Sequence, residues 1–264
     1  MADLLPKDRT ILERPFMEFR TVGVDERGEK IRDSSGVVIR SNVEYLEMCI
    51  RRKEGAAAAA KAIQTLCELL NARIRDSVYH VTPQLLRNEW RSYSYEFTAY
   101  LREFCKQLSG DPRFHFNMAR DIIISPAMQV LGRPFSIPQI YRMYPYFSEK
   151  YAKGVCEFGV GEVTERSAIL RLRFTERAKR QLGPYLKACA INVCDQSKGG
   201  LLSVPAKVHG LPMASVTDRL CVAEGDEWCE WEFTWSPTGR TAVFRSVRQW
   251  AARMLRRLGD KVGS

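Results

Sequence analysis

Apolar and polar positions alternate most strictly towards the C-terminal end of the chain. From Trp228 to Trp235, Cys229, Trp231, Phe233 and Trp235 fall on one face, and Glu230, Glu232 and Thr234 on the other. That period of two predicts a half-buried strand, with the two glutamates on its solvated side. A second strand-like run covers Val216 to Val222. The short connector between them contains Gly225, so the two runs predict a β-hairpin that sets Cys221 opposite Cys229. An earlier pair of runs alternates in the same way. Cys156, Phe158 and Val160 alternate with Glu157, Gly159 and Gly161, and Leu170, Leu172 and Phe174 alternate with Arg171 and Arg173. These predict an antiparallel pair joined near Glu165 and Arg166. Between the pairs, a long helix is expected from about Glu176 to Leu202, with Gly199 and Gly200 weakening its end. The order β-β-α-β-β predicts a four-stranded antiparallel sheet with that helix packed on it.

The first 150 residues carry helical rather than strand periodicity. Residues 1–40 read as an extended arm or a loose hairpin, with Val37 to Ile39 a candidate short strand. Ser41 to Glu44 has capping-box spacing, and Val43, Leu46 and Ile50 then recur at helical intervals. An alanine-rich helix follows Gly55, and a third helical region runs from Pro83 to Leu108. Beyond Asp111-Pro112, prolines at 126, 134, 138 and 145 limit the chain to short helices and turns. The fold class expected is α+β: a helical half over 41–150 and a sheet half over 151–240, followed by a C-terminal helix within 241–264. In that last helix Phe244, Val247, Ala251, Met254 and Leu258 recur at spacings of three and four. This is the seam of a short coiled coil and predicts a homodimer, the alternative being a helix folded back on its own domain.

Composition changes this picture little. No run is long and apolar enough to span a bilayer, and the N-terminus is too charged for a signal peptide, so a cytoplasmic protein without membrane association is expected. In that compartment the eight cysteines argue against a disulfide framework and for buried thiols or a metal. The net charge of +10 raises nucleic acid as a partner, but acidic residues are interspersed almost throughout. The charge therefore reads first as a solvated surface, and no nucleic-acid partner is expected.

The candidate chemistry concentrates at the hairpin. Cys221 and Cys229, with Asp218 three residues before Cys221, are the start of a metal site, and Cys194 on the long helix is the preferred fourth ligand. Buried free thiols are the plain alternative. A second set of residues is aromatic. Trp90, Tyr93 and Phe97 in the third helical region, and Phe135, Tyr141, Tyr144 and Phe147 in the proline-broken segment, are candidate walls of an apolar pocket, although aromatics at helical spacing more often fill a core. His80, His115 and His209 are scattered, and His209 is the second choice for a metal or ligand contact. The chain has no glycine-rich phosphate loop, no G-x-S-x-G elbow and no H-E-x-x-H motif, so no enzymatic activity is expected.

The order Cys194, then Asp218-x2-Cys221-x7-Cys229 with the Gly225-Asp226 turn between the last two, resembles the 4-vinyl-reductase-like domain. That family is related to heme-NO-binding domains and to transport-particle subunits of the Golgi tether. It is also similar to the aromatic-sensing module of enhancer-binding activators that respond to phenols and toluene. The resemblance covers roughly the last 110 residues. It implies a structural zinc on Cys194, Asp218, Cys221 and Cys229, with Asp218 where those modules usually have Glu. It also implies a small hydrophobic or aromatic ligand beside the zinc, and a downstream output domain of cyclase, kinase or transcriptional ATPase type. A heme or other tetrapyrrole is the alternative ligand the resemblance allows, in a carrier or enzyme.

Overall fold

The computed structural model describes residues 10–14, 33–152 and 154–236. The helical half begins with a two-residue strand β1 (Ser34–Ser35), followed without a break by α1 (Gly36–Glu54). The cap of α1 is Ser35, whose side chain accepts from the Val37 N–H; Val37 to Ile39 are therefore helical, and Ser41 lies inside the helix rather than at its start. Two serines stood within one turn of the apolar run, and the earlier one takes the cap because its hydroxyl meets a free N–H.

Helix α2 (Ala56–Asn71) turns back along α1 after Gly55, which has φ 91°. The region from Pro83 divides into α3 (Pro83–Leu86), β2 (Ser92–Tyr93) paired antiparallel with β1, and α4 (Tyr95–Ser109) capped by Ser94. Then come α5 (Phe114–Met118), a π-helical turn over Ala119–Ile123, α6 (Pro126–Gly132), α7 (Ile137–Arg142) and α8 (Tyr144–Tyr151). The last three each carry Pro in their first turn, where no N–H is lost from the helix.

The sheet half follows the expected order. Strands β3 (Cys156–Val163) and β4 (Ser167–Phe174) form one antiparallel pair, and β5 (Ser215–Leu220) and β6 (Cys229–Thr234) the other. The sheet order is β3-β4-β6-β5, with Leu172 of β4 opposite Cys229 of β6. Between the pairs the expected single helix is interrupted. Helix α9 (Glu176–Leu182) stops at Gly183, with φ 51°, and Pro184; α10 (Leu186–Leu202) then starts afresh, and α11 (Val204–His209) leads to the hairpin. A residue beyond the reach of helical φ followed by one without an N–H cannot carry the hydrogen-bond ladder through.

Cys229, Trp231, Phe233 and Trp235 are buried, as the alternation predicts. On the opposite face the expectation fails at Glu230, which is buried under Arg171 and Arg219, while Arg219 also reaches Glu232 at 2.9 Å. Arg173 bridges Glu157 and Glu227 and lies 4.5 Å above the Trp228 ring. The outer face is thus a ladder of arginines and glutamates, and part of the positive charge is matched there.

Helix α10 holds the two halves together. Its glycines read as a weakness in the sequence, yet a Cβ on Gly199 would sit 2.2 Å from the Phe116 carbonyl oxygen, so α10 and α5 meet backbone to backbone. In an exposed helix, Gly to Ala gains about 1 kcal/mol. Here the clash is with backbone and no rotamer relieves it, so Gly199→Ala is expected to destabilise by about 1–3 kcal/mol net. Gly200→Ala, whose Cβ would meet only the Ile123 methyl at 3.1 Å, should cost less. Urea midpoints of the two variants check this ordering.

Candidate metal centre and the interior seam

Three of the four predicted metal ligands converge. Cys194 comes from α10, Cys221 from the end of β5 and Cys229 from the start of β6, and their sulfurs all lie within 4.8 Å of one another. Cys194 and Cys229 are buried and Cys221 is half-buried. The Cys194 and Cys229 sulfurs are 2.6 Å apart, within hydrogen-bonding reach and longer than the roughly 2.05 Å of a disulfide. The hairpin connector explains the convergence. After Cys221 the chain makes a 3-10 turn over Val222–Glu224, closed by Gly225 at φ 108°, and Asp226 accepts from the Cys221 N–H at 2.8 Å. The turn aims its N–H groups at sulfur: the Val222 N–H donates to Cys229 Sγ at 3.4 Å.

Those donors set the thiol chemistry. Burial, the dominant cause, drives thiols up, to about 11 for Cys67 and about 12 for Cys189. Cys221 goes the other way, below the usual thiol range, chiefly through a hydrogen bond from Cys194 and then through the Ala223 N–H, Cys229 and the Glu224 N–H, which together outweigh its burial. Cys194 is correspondingly raised, because it donates to Cys221 and Cys229. Three convergent sulfurs, with the Cys221 thiol lowered, are a set that a divalent cation can complete by displacing protons. A Zn–S distance of about 2.3 Å puts tetrahedral sulfurs ~3.8 Å apart, so the group lies within the required span while the Cys194–Cys229 pair, at 2.6 Å, would open on binding.

The fourth predicted ligand does not join the group. Asp218 stands opposite Trp231 on β6, but its carboxylate is taken by Lys198 of α10 at 3.2 Å. The irregularity in strand register between Asp218 and Leu220 shifts Cys221 relative to Asp218, so regular strand spacing does not carry one to the other. Cys49, Cys67, Cys105, Cys156 and Cys189 lie outside the group; Cys67, Cys105, Cys156 and Cys189 are buried and Cys49 is half-buried.

The candidate pocket walls separate into three places. Tyr93 and Phe97 stack at 5.0 Å inside the helical half, and the Tyr93 hydroxyl donates to the Leu85 carbonyl. Tyr141 packs on Phe233 at 5.8 Å and on Trp235 at 4.9 Å, and Tyr144 meets Phe158 edge-on at 5.4 Å, so these two close the junction with the sheet. Trp90 is no wall: it sits in the turn before β2 and is 89% exposed. Phe135 is 39% exposed and Phe147 is half-buried. His209, at the end of α11 beside the Phe135 backbone, is lowered by burial and belongs to no metal-binding group among the described residues.

Sequence reasoning missed a polar set between the halves. Helix α4 packs closely on α1, α2 and α5, whereas its junction with α10 is made by side chains, Arg102 donating to Gln196 at 2.6 Å and Asn192 to Glu103 at 3.4 Å. Tyr95, Arg102 and His115 are buried in or beside this seam, and the Tyr95 hydroxyl, Arg102 Nε and both His115 nitrogens have no hydrogen-bond partner. A signal was present in the sequence: Arg102 lies seven residues from Tyr95, on the buried stripe of an aromatic helix.

No protein-family model matches the chain, and no curated protein matches it significantly. Solved structures do. An iron(II) unliganded H-NOX protein from K. algicida aligns with TM-score 0.51 at 9% identity over 76% of this chain and 96% of that one. An oxygen-binding H-NOX domain related to soluble guanylate cyclases, in its oxygen complex, gives TM-score 0.51 at 10% identity over 77% and 96%. The Cs H-NOX variant carrying 4-cyano-L-phenylalanine aligns at 0.50 and 10% identity over 77% and 98%. The fold is that of the H-NOX domain. The likeness is one of fold; the 4-vinyl-reductase-like and activator-module resemblance rests on the cysteine spacing alone.

The lowered Cys221 thiol gives a direct check on metal-stripped protein. Its alkylation should set in at a pH below the usual thiol range, because the thiolate is the nucleophile. Mass-spectrometric labelling from pH 4 to 9 reads this, and Cys221→Ser should remove the low-pH component.

Proposed function

We propose that this chain is a ligand-sensing regulatory domain and not itself an enzyme. It holds a small, mostly apolar molecule in the seam between the helical half and the sheet, beside a structural zinc on Cys194, Cys221 and Cys229. The observation that carries the reading is the double role of α10. Along one side its Gln196 meets Arg102 of α4 across the seam, and Cys194 on the same helix reaches the β5–β6 hairpin. Any shift of α10 that follows ligand entry is felt at the hairpin, which leads into residues 237–264.

The donor set fits zinc: three convergent sulfurs, one with its thiol lowered, and Asp218 available as a fourth ligand if it leaves Lys198. Such a closed site would be structural, tying hairpin to helix. The C-terminal helix, homodimer and coiled-coil seam expected from residues 241–264 lie outside the described residues. We retain as part of the proposal a two-fold pairing through that helix, with output to a cyclase, kinase or transcriptional ATPase. No described helix is long and apolar enough to cross a membrane.

A heme in the seam is the second reading, favoured by the iron-containing and oxygen-binding proteins of the same fold. The described interior offers it one imidazole. His115 is buried with both nitrogens unpartnered, and burial, then Arg102 and Lys106, hold it well below its usual range. It is therefore neutral, the form that ligates iron. His115 fits as the residue that would hold heme iron, which would supply reversible binding of a diatomic gas. Arg102 and Lys106 would set the positive potential around it.

Metal analysis and an absorption spectrum of purified full-length protein separate the readings. The main reading predicts about one zinc per chain and no Soret band. It also predicts that Cys221→Ser and Cys229→Ser each lose the metal and lower the melting temperature together. A Soret band that disappears in His115→Ala establishes the second reading. Zinc-free protein whose melting is unchanged by both cysteine substitutions contradicts the structural-zinc part.

A further inference from the structure

Helix α6 turns an apolar face to solvent. None of its residues is buried, and Ala127, Val130 and Leu131 share one side of it, with Pro134 continuing that side beyond its end. Val130 is 60% exposed, Leu131 71%, and Phe135 just beyond them 39%. The other side of α6 is already occupied. A Cβ on Gly132 would stand 3.0 Å from Val208 of α11 and 3.9 Å from Ile140 of α7, and Met128 Sδ lies 4.0 Å from the Tyr151 hydroxyl of α8. Single exposed apolar side chains are ordinary. A helix that is apolar along its whole outer face leaves that area in water unless another segment covers it.

The end of the described chain lies close to this face. Trp235 packs on Tyr141 of α7 at 4.9 Å, and Ile140, the residue before Tyr141, reaches towards α6 at Gly132. One helix therefore separates the exit of β6 from α6, and packed helix axes lie about 8–10 Å apart. Residues 237–264 are outside the described residues, and their sequence supplies a complement. Pro237 to Thr241 reads as a turn-forming linker with a reach of up to ~17 Å. Beyond it, at about 100° per residue, helical periodicity gives an unbroken apolar stripe about 140° wide, from Trp250 at one edge through Met254, Val247, Leu258 and Phe244 to Leu255 at the other. A two-stranded coiled coil uses a narrower seam, whereas a stripe wider than about 100° is what a helix presents to the core of its own domain. Charge agrees with that placement. Arg257 and Arg248 flank the stripe on its two sides. The Trp235 N–H donates to the Arg166 carbonyl, so the chain leaves beside the β3–β4 turn, where Glu162 and Glu165 are exposed and form no ion pair among the described residues.

We propose that the outer face of α6 is the docking surface for this chain's own segment 243–258, whose apolar stripe covers Val130, Leu131 and Phe135. The docking stands independently of the sensing reading; its consequence rests on that reading. One stripe cannot cover α6 and pair across a two-fold axis at once. Docking therefore holds the segment away from the two-fold pairing proposed above, and release from α6 permits it.

The test uses the full chain with Leu131, an exposed position, replaced by photoactivatable p-benzoylphenylalanine. Irradiation should give an adduct at the mass of a single chain, with the crosslink mapping within residues 243–258. An adduct at twice that mass would make the face an interface between two copies, and an adduct to another segment, or none, would show that this segment does not cover it. Each of these results overturns the proposal. Hydrogen exchange gives an independent readout. Amides of 243–258 should be protected in the wild type and exchange at least about tenfold faster in Leu131→Asp, while α10 and the β5–β6 hairpin are unchanged. Met254→Asp, made on the segment itself, should reproduce that loss. Protection of 243–258 that survives Leu131→Asp overturns the docking. Light scattering reads the consequence. The dimer fraction should rise in Leu131→Asp, whose freed stripe is intact, and not in Met254→Asp. A Leu131→Asp protein that loses protection yet stays monomeric keeps the docking and overturns its link to pairing, so the two failures are told apart.

Discussion

The backbone contact of Gly199 with Phe116 is the constraint on which the rest of the architecture depends. It sets α10 against α5 at a distance that only a residue without Cβ allows. With α10 fixed there, Cys194 one turn earlier on the same helix faces the β5–β6 hairpin, and Asn192 and Gln196 face α4. A bulkier residue at 199 would move the whole helix and, with it, both the cysteine group and the seam. The sheet in turn buries Trp231, Phe233 and Trp235 against the helical layer, so the cysteine group lies at the end of a continuous apolar core.

Electrostatics divides sharply between the outside and the inside of the sheet. On the outer face, Arg171, Arg173 and Arg219 alternate with Glu157, Glu227, Glu230 and Glu232, and each cation has an acidic neighbour. Exposed pairs of this kind contribute little individually, and their role is to cover the sheet with charge of both signs. Inside, Arg102 has no ion-pair partner among the described residues, and the thiols near it are held neutral by burial. The same residue type is thus solvated and paired with acids in one place and buried among neutral groups in the other.

The sheet half was legible because period two is hard to mistake: Cys229 to Trp235 could satisfy a buried face in only one register, and the Gly225 connector fixed Cys221 opposite Cys229. Helix boundaries were less legible. Ser41-Glu44 has capping-box spacing, but Ser35 reaches the free N–H first, and the Gly183-Pro184 pair breaks a helix that apolar periodicity alone would run through. Asp218 was misplaced because a strand irregularity is invisible to regular spacing, and Glu230 because the arginines that cover it come from other strands. Trp90 is a candidate wall by its aromatic neighbours in the sequence, whereas its own turn places it in solvent. The seam was missed for a different reason. An arginine on an apolar stripe reads as an exception within one helix, and only the juxtaposition of α4 with α10 shows what it meets.

Helix α10 is proposed to join the cysteine group to the hairpin through a bound cation, so the most direct measurement is hydrogen–deuterium exchange on zinc-loaded and chelator-stripped protein. The expected result is a loss of protection on stripping in two segments at once, α10 around Cys194 and the β5–β6 hairpin, while α1 and α2 keep theirs. Unchanged exchange in both segments, or loosening confined to the hairpin with α10 unaffected, would contradict the account.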